Sequence, residues 1–318
     1  MSLSFYFCSG LNQFILSKSK VSKSQKHFTM NKLFHITALL LGLTTLIVSC
    51  NNDDEGDDLN AVYNNAASQT TYNDVASIGD ESVIDDDLSS FKMEDMEKIS
   101  SPCATITKGD TNDMPNVTTI DFGSTNCLCY DGKNRRGKIV MNHPPPSLAR
   151  DSGALFHHEF IDFYVNNNKV LGYINVTNFG LSPDGFKHFK WDIVGGLELA
   201  DGAGTTSWES HQVIAYLAGF NTPNTRLDDK IGINGGSSGT SQTGETFTAQ
   251  IDSLNPLRRS FSIGCRKHFF AGTAFITPQG KPMRTINYGE ANPEICDDEA
   301  TVTVNGNTYT ISLDNTHE

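Results

Sequence analysis

Residues 300–311 read Ala-Thr-Val-Thr-Val-Asn-Gly-Asn-Thr-Tyr-Thr-Ile, two alternating runs either side of Asn305-Gly306. Asn-Gly is the preferred pair for a two-residue type I′ turn, because both positions need positive φ. That loop pairs Val304 with Asn307, Val302 with Tyr309 and Ala300 with Ile311 on a core face, leaving Thr301–Thr310 and Thr303–Thr308 toward water. A one-residue slip would reverse every face, so the alternation specifies the register.

The same punctuation recurs upstream. Asn167-Asn168 is read as the loop of a second hairpin pairing Val165 with Val170, Phe163 with Gly172 and Ile161 with Ile174. Asp131-Gly132, Asp184-Gly185, Asp201-Gly202 and Pro278-Gln279-Gly280 mark further turns. Strands are predicted over 117–122, 137–142, 155–165, 169–177, 187–194, 205–217, 245–251, 267–277 and 283–289. No long amphipathic helix interrupts them, which argues against βαβ units. The expected fold is all-β: an antiparallel meander of ten or more strands, as a sandwich or an elongated curled sheet, forming a single domain over 101–318.

The N-terminus reads as a targeting segment. Residues 36–48 are uncharged and mostly apolar, too short for a membrane span of ~20 residues but suited to a signal h-region. Met30-Asn31-Lys32 forms a short basic start, so residues 1–29 are read as an upstream extension from a mis-called start. Ile47-Val48-Ser49-Cys50 resembles a bacterial lipobox, which implies a signal peptide over 30–49 and a lipidated Cys50. Residues 51–100 then carry 14 acids and two lysines. The stretch 50–100 is read as an acidic tether, disordered or weakly helical, with one or two short helices and no functional site. An acidic run directly after the anchor resembles the export signal of surface lipoproteins in Bacteroidetes and implies display on the outer membrane, facing outward.

Charge excludes one class of partner. Thirty-seven acids against 24 basic residues give a net charge of −13, unsuited to a nucleic-acid backbone.

Thr119-Ile-Asp-Phe-Gly, Cys127, Asp131-Gly132, Arg136-Gly-Lys-Ile, Asn287-Tyr-Gly, Cys296-Asp and the 300–311 hairpin resemble a set of β-rich surface lipoproteins of Bacteroidetes. The likeness spans roughly residues 103–313 plus the lipobox. That family has no established activity, so the resemblance implies location and fold and no reaction. Where the family has glycine two residues after the cysteine, this chain has Cys129.

Five cysteines remain beyond Cys8 and the anchor. In an oxidising envelope, Cys265 is expected to pair with Cys296, and Cys103 with Cys127 or Cys129. A soft-metal site at Cys127-Leu-Cys129 is the rival reading, without a second ligand pair downstream.

Other candidates are weak. Gly235-Gly-Ser237-Ser-Gly239 matches a nucleophile-elbow pattern but sits in a Gly/Ser/Thr run read as a flexible loop. His157 and Glu159 share a strand face without helical metal-site spacing. Asp252-Ser253-Leu254 resembles the O-glycosylation acceptor of Bacteroidetes surface proteins. No cofactor motif is read. Trp191, Trp208, Tyr164 and Tyr173 are candidates for an aromatic platform facing a sugar. The expected function is a non-catalytic structural or binding module, held to the membrane by its lipid anchor and meeting glycan or protein. The alternative is an envelope hydrolase acting on polysaccharide or peptide.

Overall fold

A computed structural model describes residues 58–87, 99–109, 116–143, 151–222 and 225–313, with side chains of the helix described through Ser82. The extension, signal segment, Cys50 and the 51–57 acidic run lie outside the described residues.

The described residues form one α-helix, α1 (Asn60–Asp87), a single 3-10 turn at Ala200–Gly202, and fifteen strands. The first are β1 (Thr105–Lys108), β2 (Asn116–Asp121), β3 (Cys127–Leu128), β4 (Asn134–His143), β5 (Leu155–Val165) and β6 (Asn168–Leu181). Next come β7 (Lys187–Glu198), β8 (Ser207–Ala218), β9 (Lys230–Thr240), β10 (Thr246–Ile251) and β11 (Leu257–Ser260). The last are β12 (Thr273–Pro278), β13 (Arg284–Asn287), β14 (Glu299–Val304) and β15 (Asn307–Ser312). All belong to one antiparallel sheet in the order β1-β2-β4-β5-β6-β7-β8-β9-β10-β12-β13-β14-β15, with β3 on β4 and β11 on β9. The all-β meander therefore holds, as a single sheet.

The sheet curls around α1. Residues on every side of the helix are buried, including Val62, Asn65, Tyr72, Asp74 and Ile78. A flat sheet covers only one side of a helix, whereas α1 touches β5, β6, β7, β10 and β12. The stretch expected to be part of a mobile stalk is thus an internal element. It has no apolar stripe because its polar side chains are bonded inside rather than exposed to water. Tyr72 donates its hydroxyl to the Leu171 carbonyl at 2.7 Å and accepts from the Gly196 N–H at 2.5 Å. Its ring stacks on Trp208, centroids 5.4 Å apart.

The terminal hairpin has the expected register in full, from Val304↔Asn307 to Ala300↔Ile311. Ala300, Val302, Val304 and Ile311 are buried, while Tyr309 and Asn307 are exposed at the sheet's last strand.

The 165–170 hairpin needs correction. Its loop is Asn166-Asn167, both with positive φ, so Val165 pairs with Asn168 and Tyr164 with Lys169. Asp162 then takes φ 43° in a bulge, and beyond it His158 rather than Ile161 lies opposite Ile174. The extra residue inverts the faces: Phe163 and Val165 point inward, as does His158, while Ile161 is 53 % exposed. Gly137 (φ 85°) makes room for this bulge, since a β-carbon there would lie 1.9 Å from the Asp162 carbonyl oxygen.

The Gly/Ser run expected as a loop is the middle of β9, flanked by β8 and β10. A β-carbon at Gly235 (φ 130°) would lie 2.1 Å from the His211 carbonyl oxygen. The glycine there permits close strand approach and does not loosen the chain. The expected 267–277 strand begins only at Thr273, and β1, β3 and β11 carry too few residues to be read beforehand.

Candidate functional site

The concave face is filled. Asn65 accepts hydrogen bonds from Trp208 Nε1 at 3.0 Å and from Ser237 Oγ at 2.9 Å. Gln69 accepts from Gln212 at 2.8 Å. Deeper, the Asp74 carboxylate meets Lys133, Arg259 at 2.6 Å and Arg135 at 3.4 Å, all almost fully buried. Arg135 also forms a two-pronged pair with Asp131, at 2.7 and 2.5 Å. Burial alone would raise the Asp74 carboxyl; Lys133, Arg259 and Arg135 together outweigh it and hold Asp74 below the ordinary range. This polar interior is matched to the helix, so the concave face is occupied and the open surface of the sheet is its convex face.

On the convex face the register aligns side chains across strands. One row is His157, Asn175, Asp192, His211, Gly236, Gln250, Phe275 and Thr285, running from β5 to β13. The next is Glu159, Tyr173, Val194, Glu209, Ser238, Thr248 and Thr277. β9 contributes only Gly236 and Ser238 to these rows, so the surface is low there, with Gln250 of β10 lying against Gly236 and donating its amide to the Gly235 carbonyl at 2.9 Å. Two adjoining depressions result, of about 750 and 730 Å³, sharing Glu209, Ser238, Thr248 and Thr277. Phe275 and Met283 add apolar surface to one side.

The charges beside this floor are paired. His211 Nδ1 lies 2.7 Å from Asp192 and its Nε2 3.6 Å from Glu209. Lys190 is 2.8 Å from the other Asp192 oxygen. Partial burial pushes the Asp192 carboxyl up, but hydrogen bonds from Lys190 and His211 prevail and keep it low. At the far end Lys281 sits 2.7 Å from Glu245 and 3.1 Å from Asp58. Among the described residues no hydroxyl or thiol hydrogen-bonds to His211, so the Asp192–His211 pair lacks an attached nucleophile.

The other candidates fall elsewhere. Trp191 and Trp208 are 2 % and 1 % exposed on the concave side and cannot form a surface platform. Tyr164 and Tyr173 are half-buried on the convex side, apart from the depression; Tyr164 lies under the Arg136 guanidinium, 3.7 Å from its ring centre, and Tyr173 against His157. His157 Nε2 lies 3.5 Å from Glu159, partly exposed. Ser237 points to Asn65 on the helix and takes no nucleophile position. Ser253 sits in an exposed turn closed by Asn255 N–H to the Asp252 carbonyl at 3.1 Å.

Both expected disulfides are present, Cys103–Cys127 with Cα atoms 5.7 Å apart and Cys265–Cys296 at 4.9 Å. Cys129 is a buried free thiol, which burial pushes up despite Arg135 nearby. With Cys127 oxidised, the Cys127-Leu-Cys129 pair is no metal site. Glu294 beside Cys265 and Cys296 meets a disulfide, not two thiolates.

Sequence reasoning missed the depression. Its signal was the alternation in 246–250, polar outward and apolar inward, together with Glu209 and His211 at alternate positions of 207–213, beside a strand whose outward residues are glycine and serine. No family model, curated protein or solved structure matches this chain.

Proposed function

We propose that the chain is a lipid-anchored module on the outer surface of a bacterial outer membrane that binds an extracellular ligand on the convex face of its sheet. One observation carries the binding reading: α1 fills the concave face, while the convex face holds a broad open depression floored by Gly236 and Ser238. The lipobox at 47–50 and the acidic run after it support the anchor and outward display.

The full chain in its bacterial host tests this reading. Cys50→Ser is expected to release the protein from the membrane fraction, and protease added to intact cells is expected to cleave the parent. Retention of the variant in salt-washed outer membrane would place the anchor elsewhere. Replacing Asp53, Asp54 and Glu55 with alanine is expected to reduce cleavage on intact cells; unchanged cleavage would leave the run as a spacer. Binding is tested by filling the depression, as below.

The Asp192–His211 pair beside the depression favours a second reading, an envelope hydrolase acting on polysaccharide or peptide. Turnover abolished by His211→Ala with binding retained would establish it.

A further inference from the structure

We infer that the convex depression takes an uncharged polysaccharide. This rests on the reading that the depression is the binding surface. The floor and sides carry the hydroxyls of Ser207, Ser238, Thr240, Thr246, Thr248 and Thr277, from four neighbouring strands. Each hydroxyl both donates and accepts, which suits a ligand that is itself covered in hydroxyls. Neighbouring strands lie ~4.8 Å apart, so β8, β9, β10 and β12 present this lattice across roughly 14 Å, room for a short stretch of sugar chain.

Charge argues against an anionic ligand. His211 is held between Asp192 and Glu209, and Lys281 between Glu245 and Asp58. An anionic ligand would have to displace Glu245 and Asp58 from Lys281 to gain a partner, and it would meet the Glu209 carboxylate beside the floor. Nor does the surface suit a protein partner, which is usually gripped by a few large desolvated anchors; here the floor is glycine and small hydroxyl residues. Phe275, half-buried, and Met283, 51 % exposed, supply apolar surface along one side. A sugar ring has an apolar C–H face that packs on such a surface while its hydroxyls meet the floor.

The test is affinity electrophoresis of the folded protein through gels holding one polymer each: mixed-linkage glucan, galactomannan, arabinoxylan, polygalacturonate or chondroitin sulfate. Ser238→Trp and Thr248→Trp each fill the floor from an outward-facing position. Asp184→Trp, in the exposed β6–β7 turn, is the control, and unchanged thermal unfolding verifies each fold. Retardation by at least one neutral polymer is expected. Both floor variants should weaken it at least tenfold, and the control should not. Retardation by the acidic polymers alone, abolished by the floor variants, would overturn the uncharged class while leaving the depression as the site. Retardation by a neutral polymer that neither floor variant weakens would overturn the depression itself. Retardation by none of the five would overturn the polysaccharide assignment.

Discussion

Gly79 of α1 and His158 of β5 touch: a β-carbon on residue 79 would lie 2.6 Å from His158 Nε2. The helix meets the sheet at this point with no space for a methyl group. Gly79→Ala should gain about 1 kcal/mol of helix propensity and lose about 1–3 kcal/mol to overpacking. Net destabilisation is expected in urea unfolding. In a His158→Ala background, where the ring is gone, the same substitution should stabilise. Equal effects in both backgrounds would show that the contact does not limit packing.

Among the described residues, Asp74 is the carboxylate that Lys133, Arg135 and Arg259 share. Asp74→Asn leaves buried cations undercompensated, and breaking such a pair costs about 3–5 kcal/mol. Limited proteolysis should then cleave within 60–87, which the parent sheet protects. A variant that resists protease like the parent would mean that Tyr72 and the other polar contacts suffice to hold the helix.

Burial raises Asp229 to about 7, with Asp228 and Asp80 adding to the shift and Arg226 opposing it. An unfolded aspartate titrates near 3.9, so between about pH 4 and 7 the folded state binds the extra proton. Stability from this group is therefore lost as pH rises through that window, by at most about 1.4 kcal/mol per pH unit. His158 has the opposite sign: burial, with His157 adding, lowers it to about 3, so its contribution is lost as pH falls below about 6.5. Asp229→Asn should remove the first slope and leave the second. The stability of the variant relative to the parent, measured by urea unfolding at several pH values, should grow from pH 4 to 7. A constant difference would place Asp229 outside the titrating set.

Peptide mapping without reduction should recover Cys103 joined to Cys127 and Cys265 joined to Cys296, with Cys129 inert to alkylation until the protein unfolds. Closing loops of 24 and 31 residues corresponds to about 3–4 kcal/mol each on chain-entropy grounds. Rapid labelling of Cys129 in the native protein would contradict its burial.

Where local chemistry decides structure, the sequence alone determined it. Asn305-Gly306 and the alternation around it set the terminal hairpin pair by pair, because turn type and face leave one register. Turn signals at regular spacing identified the antiparallel meander, and the cysteines were legible as Cys265 with Cys296 and Cys103 with Cys127 or Cys129, between which the fold chose Cys127. Tertiary structure decided the rest. The bulge at Asp162 is a fit between two strands, using the space that Gly137 leaves, so Ile161 points outward against its own hydrophobicity. Gly235-Gly-Ser-Ser-Gly reads as a loop until β8 and β10 supply the backbones that only glycine lets close. α1 was the hardest to read. A helix is recognised by contrast between a dry face and a wet one, and this helix is buried on every side, because Asp74, Asn65 and Gln69 find their partners on strands more than fifty residues away. The depression is invisible for the same reason: its row of His211, Gly236, Gln250 and Phe275 is contiguous only after four strands have paired.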